Sequence, residues 1–229
     1  MTSEERVLKA LNHEEPDRVP YDLTSTLVSG IHYIAYEKLR DYLGMEKKET
    51  ELFDMVQGLA RVHDDVLERL KVDTRGVLTG SPFGWELKIE ETSEYEQYTD
   101  VWGVTWRRPK PHGLYFDMVA HPLKGATLDD AKKFKWPNPR DQARLEGIKE
   151  ESSRLAKSDC LVVLGTVGMT VGLLQTFQWL LGFEDSFYAL AAEPELTHYI
   201  VGKLSRNTVF IDRNRKRMTG IFFYFSERK

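Results

Sequence analysis

The stretch Asp159-Cys160-Leu161-Val162-Val163-Leu164-Gly165 decides how this chain is read. Its unbroken apolar run, bounded by a polar residue and a glycine, fits a short strand covered on both faces, and such strands belong to parallel sheets packed between helices. Val72-Asp73-Thr74-Arg75-Gly76-Val77-Leu78 reads as a second buried strand. Working outward, Thr2 and Glu5 stand at capping-box spacing ahead of the apolar stripe Val7, Leu8 and Leu11, which predicts an opening helix. Arg18-Val19-Pro20-Tyr21-Asp22-Leu23 alternates in polarity and reads as a strand with Pro20 at its start. A helix is expected over Ile31 to Leu43, closed by Gly44, and another along Met55, Leu59, Val62, Val66 and Leu70, the most regular amphipathic stripe in the chain.

Between Pro82 and Val119 the period changes to two. Trp85, Leu87 and Ile89, then Trp102, Val104 and Trp106, then Leu114, Phe116 and Met118 alternate with polar residues, so residues 82–119 are expected to form an antiparallel β-meander inserted in the larger domain. Helical patterns return at Thr127, whose spacing to Asp130 is that of a capping box, and again along Leu145, Ile148 and Leu155. An apolar helix ending near Gly182 and a longer one begun by Pro194 follow. Alternating strands and helices define an α/β fold with parallel strands. Strand-like runs near 18–24, 72–78, 160–166 and 220–225 are too few for a closed eight-stranded barrel, which needs about 250 residues.

The 229 residues carry 32 basic and 36 acidic side chains, a net charge of −4, with 41% hydrophobic residues, so a polyanion-binding role has no compositional support. The apolar stretch from Leu161 to Leu181 is interrupted by Gly165, Gly168, Gly172 and Gln175 and makes no membrane-spanning helix. Met1 to Glu5 is polar and unlike a secretory signal, so the expectation is a cytoplasmic protein. A single cysteine, Cys160, excludes an internal disulfide and any zinc site with two thiolates.

Arg6-Val7-Leu8-Lys9-Ala10-Leu11-Asn12-His13-Glu14-Glu15-Pro16-Asp17-Arg18-Val19-Pro20 resembles the amino terminus of the uroporphyrinogen decarboxylase superfamily. The resemblance extends over roughly residues 3 to 212, through Asp100-Val101-Trp102-Gly103-Val104, Trp136-Pro137, the strand ending at Gly165 and Ala191-Ala192-Glu193-Pro194-Glu195-Leu196. It implies a (β/α)8 TIM-type barrel, here an incomplete one: a single domain over 1–229 that corresponds to the amino-terminal portion of longer relatives and is truncated at its carboxyl end. The superfamily contains porphyrinogen decarboxylases and zinc-dependent methyltransferases acting on methylated corrinoids. Decarboxylases carry an arginine-rich turn after the first strand and an aspartate after the second. Here those places hold Asp22-Leu23-Thr24-Ser25-Thr26 and Leu78-Thr79-Gly80-Ser81, and Phe177 or a neighbour replaces an expected tyrosine. The methyltransferase branch is the better match, which implies methyl transfer between a corrinoid and a thiol or similar acceptor. Corrinoid and zinc are implied for a full-length relative, with no cofactor or metal held by this chain itself. A true uroporphyrinogen decarboxylase and a non-catalytic tetrapyrrole-binding subunit are the alternatives.

In a barrel the chemistry gathers at the carboxyl ends of the strands. Asp22 is a candidate to orient substrate or accept a proton, or else a structural partner of a nearby base. Thr24 and Ser25 are candidate substrate contacts. Arg75 is a candidate anion ligand, or the partner of Asp73 or Asp22. Gly165 and Thr166 offer backbone amides to a ligand, or a tight turn. Among six histidines, none paired at metal-binding spacing, His32 is the catalytic candidate because it can titrate near neutrality and follows the first strand. Trp102, with Trp85 and Trp106, could wall a flat macrocycle or pack the meander. The basic cluster Arg213 to Arg217 reads as a solvated helix end. The expected partners are a small-molecule or corrinoid-protein substrate, with neither nucleic acid nor membrane, and an exposed edge at 220–225 would favour a homo-oligomer.

Overall fold

The computed structural model describes residues 1–138, 140–165 and 172–215. In chain order these form α1 (Ser3–Leu11), α2 (Tyr33–Tyr42), β1 (Leu52–Asp54), β2 (Leu59–Ala60), α3 (Asp64–Arg69), β3 (Thr74–Leu78), β4 (Glu90–Glu91), β5 (Tyr95–Thr99), β6 (Thr105–Pro109), β7 (Asp117–Ala120), α4 (Leu128–Lys133), α5 (Ile148–Leu155), β8 (Leu161–Gly165), α6 (Leu173–Leu181), α7 (Phe183–Ala192) and α8 (Pro194–Arg215). The fold is mixed α/β, with no closed barrel among the described residues. The chain divides into two compact units. One comprises Met1–Gly80 with the described part of Leu145–Val167, the other Ser81–Arg144 with the described part of Gly168–Lys216.

The first unit is built on a parallel pair. β3 and β8 run parallel and in register from Thr74 opposite Leu161 to Leu78 opposite Gly165, in keeping with the apolar continuity of β8. α1 begins at the Thr2 capping box and is tied to the start of β8 by the Glu4 amide, which donates to the Asp159 carbonyl at 2.8 Å. Its Val7 and Leu8 pack on Leu161 and Val163. A second cluster gathers Tyr36 of α2, Ala60, Val62, Val66 and Leu67 of α3 and Val72.

Two sequence expectations are corrected here. Residues 18–24 run beside β3 but form no strand: bends fall at 18 and at 23–24, and 19–22 join no ladder. The Asp73 amide donates to the Tyr21 carbonyl at 2.8 Å. Pro20 has no N–H to give, the Tyr21 amide goes to the Asp73 carboxylate, and Thr24 turns away at φ +61° so that its amide meets the Ser29 carbonyl. The stripe from Met55 to Leu70 is not one helix: β1 and β2 pair as an antiparallel hairpin and only Asp64–Arg69 is helical. Asp54 Oδ1 accepts the Gln57 amide at 2.8 Å, and Gly58 takes φ +63°. That turn chemistry outweighs a helical apolar period.

In the second unit β4, β5, β6 and β7 pair in that order as an antiparallel sheet. Trp85 to Ile89 lies outside the strands, and Tyr95–Thr99, not read as a strand in the sequence, is central. The capping box at Thr127 opens α4 as expected. Leu196, Ile200 and Leu204 of α8 are buried, and α6 buries Phe177, Leu180 and Leu181. The strand expected at 220–225 lies outside the described residues. No described helix is long and apolar enough to cross a membrane.

Candidate functional site

The residues that carry the amino-terminal motif meet at Asp73. This carboxylate is fully buried at the start of β3. It accepts from Ser3 Oγ at 2.7 Å, from Arg6 Nη1 at 2.7 Å, from Arg18 Nη1 and Nη2 at 2.7 and 2.9 Å, and from the Tyr21 amide at 2.8 Å. Arg6 also grips Asp17 with Nε and Nη2 at 2.5 and 2.8 Å. Burial would raise the Asp73 carboxyl, but the bonds from Ser3, the Tyr21 amide, Arg18 and Arg6 outweigh it and hold the group below the ordinary carboxylate range. The hydrogen bond from Arg6 holds the Asp17 carboxyl down at about 2. Every partner here is internal, so this end of β3 is an anchor.

Farther along β3 the situation reverses. Tyr21 lies against Asp73, Asp22 against Thr74 and Ser25 against Gly76, so this segment runs parallel to β3, as β8 does on its own ladder. The three runs therefore end on the same side, at Thr24–Thr26, at Leu78 and Thr79, and at Gly165. Asp22 is exposed, and its Oδ1 accepts from Thr74 Oγ1 at 2.6 Å. Thr24 holds a left-handed backbone at φ +61°, which costs a residue with a Cβ roughly 1–2 kcal/mol. Ser25 is 1% exposed, yet its Oγ has no hydrogen-bond partner among the described residues. Its backbone lies so close over β3 that a Cβ at position 76 would stand 2.5 Å from the Ser25 carbonyl oxygen. A glycine inside a strand pattern marks such an approach, and that signal was present in the sequence at Gly76.

The other candidates are held in other ways. Side chains alternate across a strand, so Arg75 points to the face of β3 opposite Gly76. There Nη1 donates to the Val72 and Thr74 carbonyls at 3.0 and 2.8 Å, and Nε stands 4.0 Å from Asp64 Oδ1. His32 is the N-cap of α2. Its Nδ1 accepts the Ile34 amide at 3.3 Å, and its ring lies over Gly58, where a Cβ would come within 2.8 Å of Nε2. Gly165 closes β8 opposite Leu78, and Thr166 lies outside the described residues. Trp102 belongs to the second unit, buried in the β5–β6 connection. Asp100 organises that connection by accepting the Trp102 and Val104 amides and Trp106 Nε1 at 2.8, 3.0 and 2.8 Å, while Trp106 meets Trp179 edge to face at 4.9 Å.

A network that the sequence did not suggest surrounds Tyr36. Its hydroxyl accepts from Arg40 Nη1 at 3.2 Å and from the His63 amide at 3.1 Å, leaving its own proton for His63 Nδ1 at 2.6 Å. Arg40 continues to Asp65, which Lys48 also contacts. No group of three His, Cys, Asp or Glu side chains among the described residues is placed to hold a metal ion. Searches against protein-family models, curated proteins and solved structures return no match for this chain.

Proposed function

We propose that the chain is a barrel-type protein of the uroporphyrinogen decarboxylase superfamily, nearer the methylcobamide-dependent methyltransferases than the decarboxylases, with its ligand at the carboxyl ends of the three parallel runs. The observation that carries this reading is the buried, unpartnered Ser25 hydroxyl at the side where all three runs end. Parallel runs taken in chain order are the building pattern of a barrel, whose chemistry gathers at that end. The motif residues Arg6, Asp17 and Arg18 act in keeping with this, since they fix the opening helix and the first run to β3.

The donor set suits a corrinoid better than an octacarboxylate. Ser25 offers an uncharged donor and acceptor, whereas three arginines that contact β3 or the residue before it are committed elsewhere: Arg6 and Arg18 to Asp73, Arg75 to carbonyls on the opposite face of β3. A bound methylcorrinoid supplies the methyl group. The turn's share is to orient an edge of that ligand and keep water from it. Zinc does not fit the described residues. Cys160 precedes β8, at the end of the strands away from Ser25, and no other ligand set among the described residues replaces it.

Titration with cobalamin, followed by visible absorbance, tests the reading. One cobalamin per chain, bound saturably, with uroporphyrinogen left unconsumed, is the expected result. Carbon dioxide released from uroporphyrinogen, or no uptake of cobalamin, overturns it.

A further inference from the structure

We propose that the Thr24–Thr26 turn is a subsite for an uncharged hydrogen-bonding group of the ligand, a primary amide above all, and that it rejects a carboxylate of the same shape. The inference rests on the reading of this turn as part of the ligand site, and it adds the chemical class that the turn selects.

Three observations converge. The Ser25 Oγ is out of solvent without a partner among the described residues, and a buried hydroxyl left so is disfavoured until a donor or acceptor reaches it. The turn is held firmly: Thr24 keeps its left-handed backbone through its amide to the Ser29 carbonyl at 3.0 Å, and the Ser25 backbone rests on Gly76. The segment leading into the turn carries a carboxylate. Asp22, three residues before Ser25, presents a carboxylate whose Oδ1 already accepts from Thr74 Oγ1. The cations of β3 and its neighbours do not offset it, since Arg75 donates to main-chain carbonyls on the other face, and Arg6 and Arg18 close on Asp73 at the far end of the strand. A carboxylate entering here would be desolvated while Arg6, Arg18 and Arg75 are engaged elsewhere, at the end of a segment that already carries Asp22. An amide enters neutral, and its C=O and NH2 can meet both faculties of a hydroxyl.

Propionamide and propionate, which share a shape and differ in charge, are the probes. Each is titrated into the isotopically labelled full chain while the backbone amide resonances of Ser25, Thr26 and Gly76 are followed. Propionamide should shift these resonances saturably, with propionate at least about tenfold weaker, a ratio that corresponds to about 1.4 kcal/mol. The response should vanish in Ser25→Ala, whose smaller side chain fits the same space. It should become less selective in Asp22→Asn, where the like charge is gone. Equal or stronger binding of propionate, a propionamide response that survives Ser25→Ala, or no response to either probe overturns the proposal; in the last case the hydroxyl is served by water alone. Cobalamin is read separately: a chain that answers propionamide but not cobalamin keeps the subsite and loses the corrinoid reading.

Discussion

The start of β3 and its middle lie a few residues apart and treat polar atoms in opposite ways. At Asp73 a buried carboxylate has five donors around it, drawn from α1, the segment beside β3 and the Arg6 and Arg18 side chains. At Gly76 the neighbouring Ser25 hydroxyl is equally buried and has none. A buried charge is tolerated only when it is fully paired, so the first arrangement is what holding the fold demands. The second leaves a bonding capacity that the fold does not use. The contrast separates the residues of the amino-terminal motif, which hold the fold, from the turn proposed to meet a ligand.

The largest effect should come from breaking the anchor. Asp73→Ala leaves Arg6 facing an empty buried site and should cost on the order of 3–5 kcal/mol, measured by urea unfolding. A loss below about 1 kcal/mol would mean that the two arginines find other partners and that the anchor is weaker than its geometry suggests. Gly76→Ala comes next. Its added Cβ would press on the Ser25 main chain, which has no flexible end to give way, so a loss of about 1–3 kcal/mol is expected, together with displaced amide resonances at Ser25 and Thr26. An unperturbed Gly76→Ala protein would show that the turn does not rest on β3.

How far the sequence foretold these two places depends on the kind of signal each carries. The run around Val163 is apolar throughout, which pointed to a parallel sheet, and the run around Val77 read as a second buried strand; that the two pair with each other was not legible. The capping boxes at Thr2 and Thr127 gave the starts of α1 and α4, because a side chain three residues from its partner amide is a local fact. Periodicity failed where a turn decided. Leu59, Val62 and Val66 keep helical spacing, but Gly58 and Asp54 set a hairpin between β1 and β2. The run from Arg18 to Leu23 keeps strand spacing, but its amides go to a side chain or are missing at Pro20. Within the candidate site, the sequence named Ser25, Thr24 and Asp22 as neighbours. It could not show that Arg75 turns to the opposite face of the same strand or that His32 serves as a helix cap. Those outcomes depend on partners distant in the chain, Asp64 and Gly58 among them.

A smaller effect separates the two places by pH. The Asp17 carboxyl is held at about 2 by Arg6, below its ordinary value of 3.8. A depressed carboxylate contributes stability that is complete above its unfolded pKa and is lost as the pH falls through the folded one. Stability should therefore decline from about pH 4 toward pH 2, and Asp17→Asn should flatten that decline while lowering the plateau above it. An identical acid profile in Asp17→Asn would remove Asp17 from the anchor.

The smallest effect on stability is the most direct test that the Thr24–Thr26 turn is held for a ligand. It is the urea unfolding free energy of Ser25→Ala without any ligand. Because the hydroxyl has no partner to lose, the substitution should leave stability within about 0.5 kcal/mol of the parent or raise it. A loss of 1 kcal/mol or more, on the order of a broken internal hydrogen bond, would show that the Ser25 hydroxyl holds the fold together as the Asp73 carboxylate does, and would contradict the account.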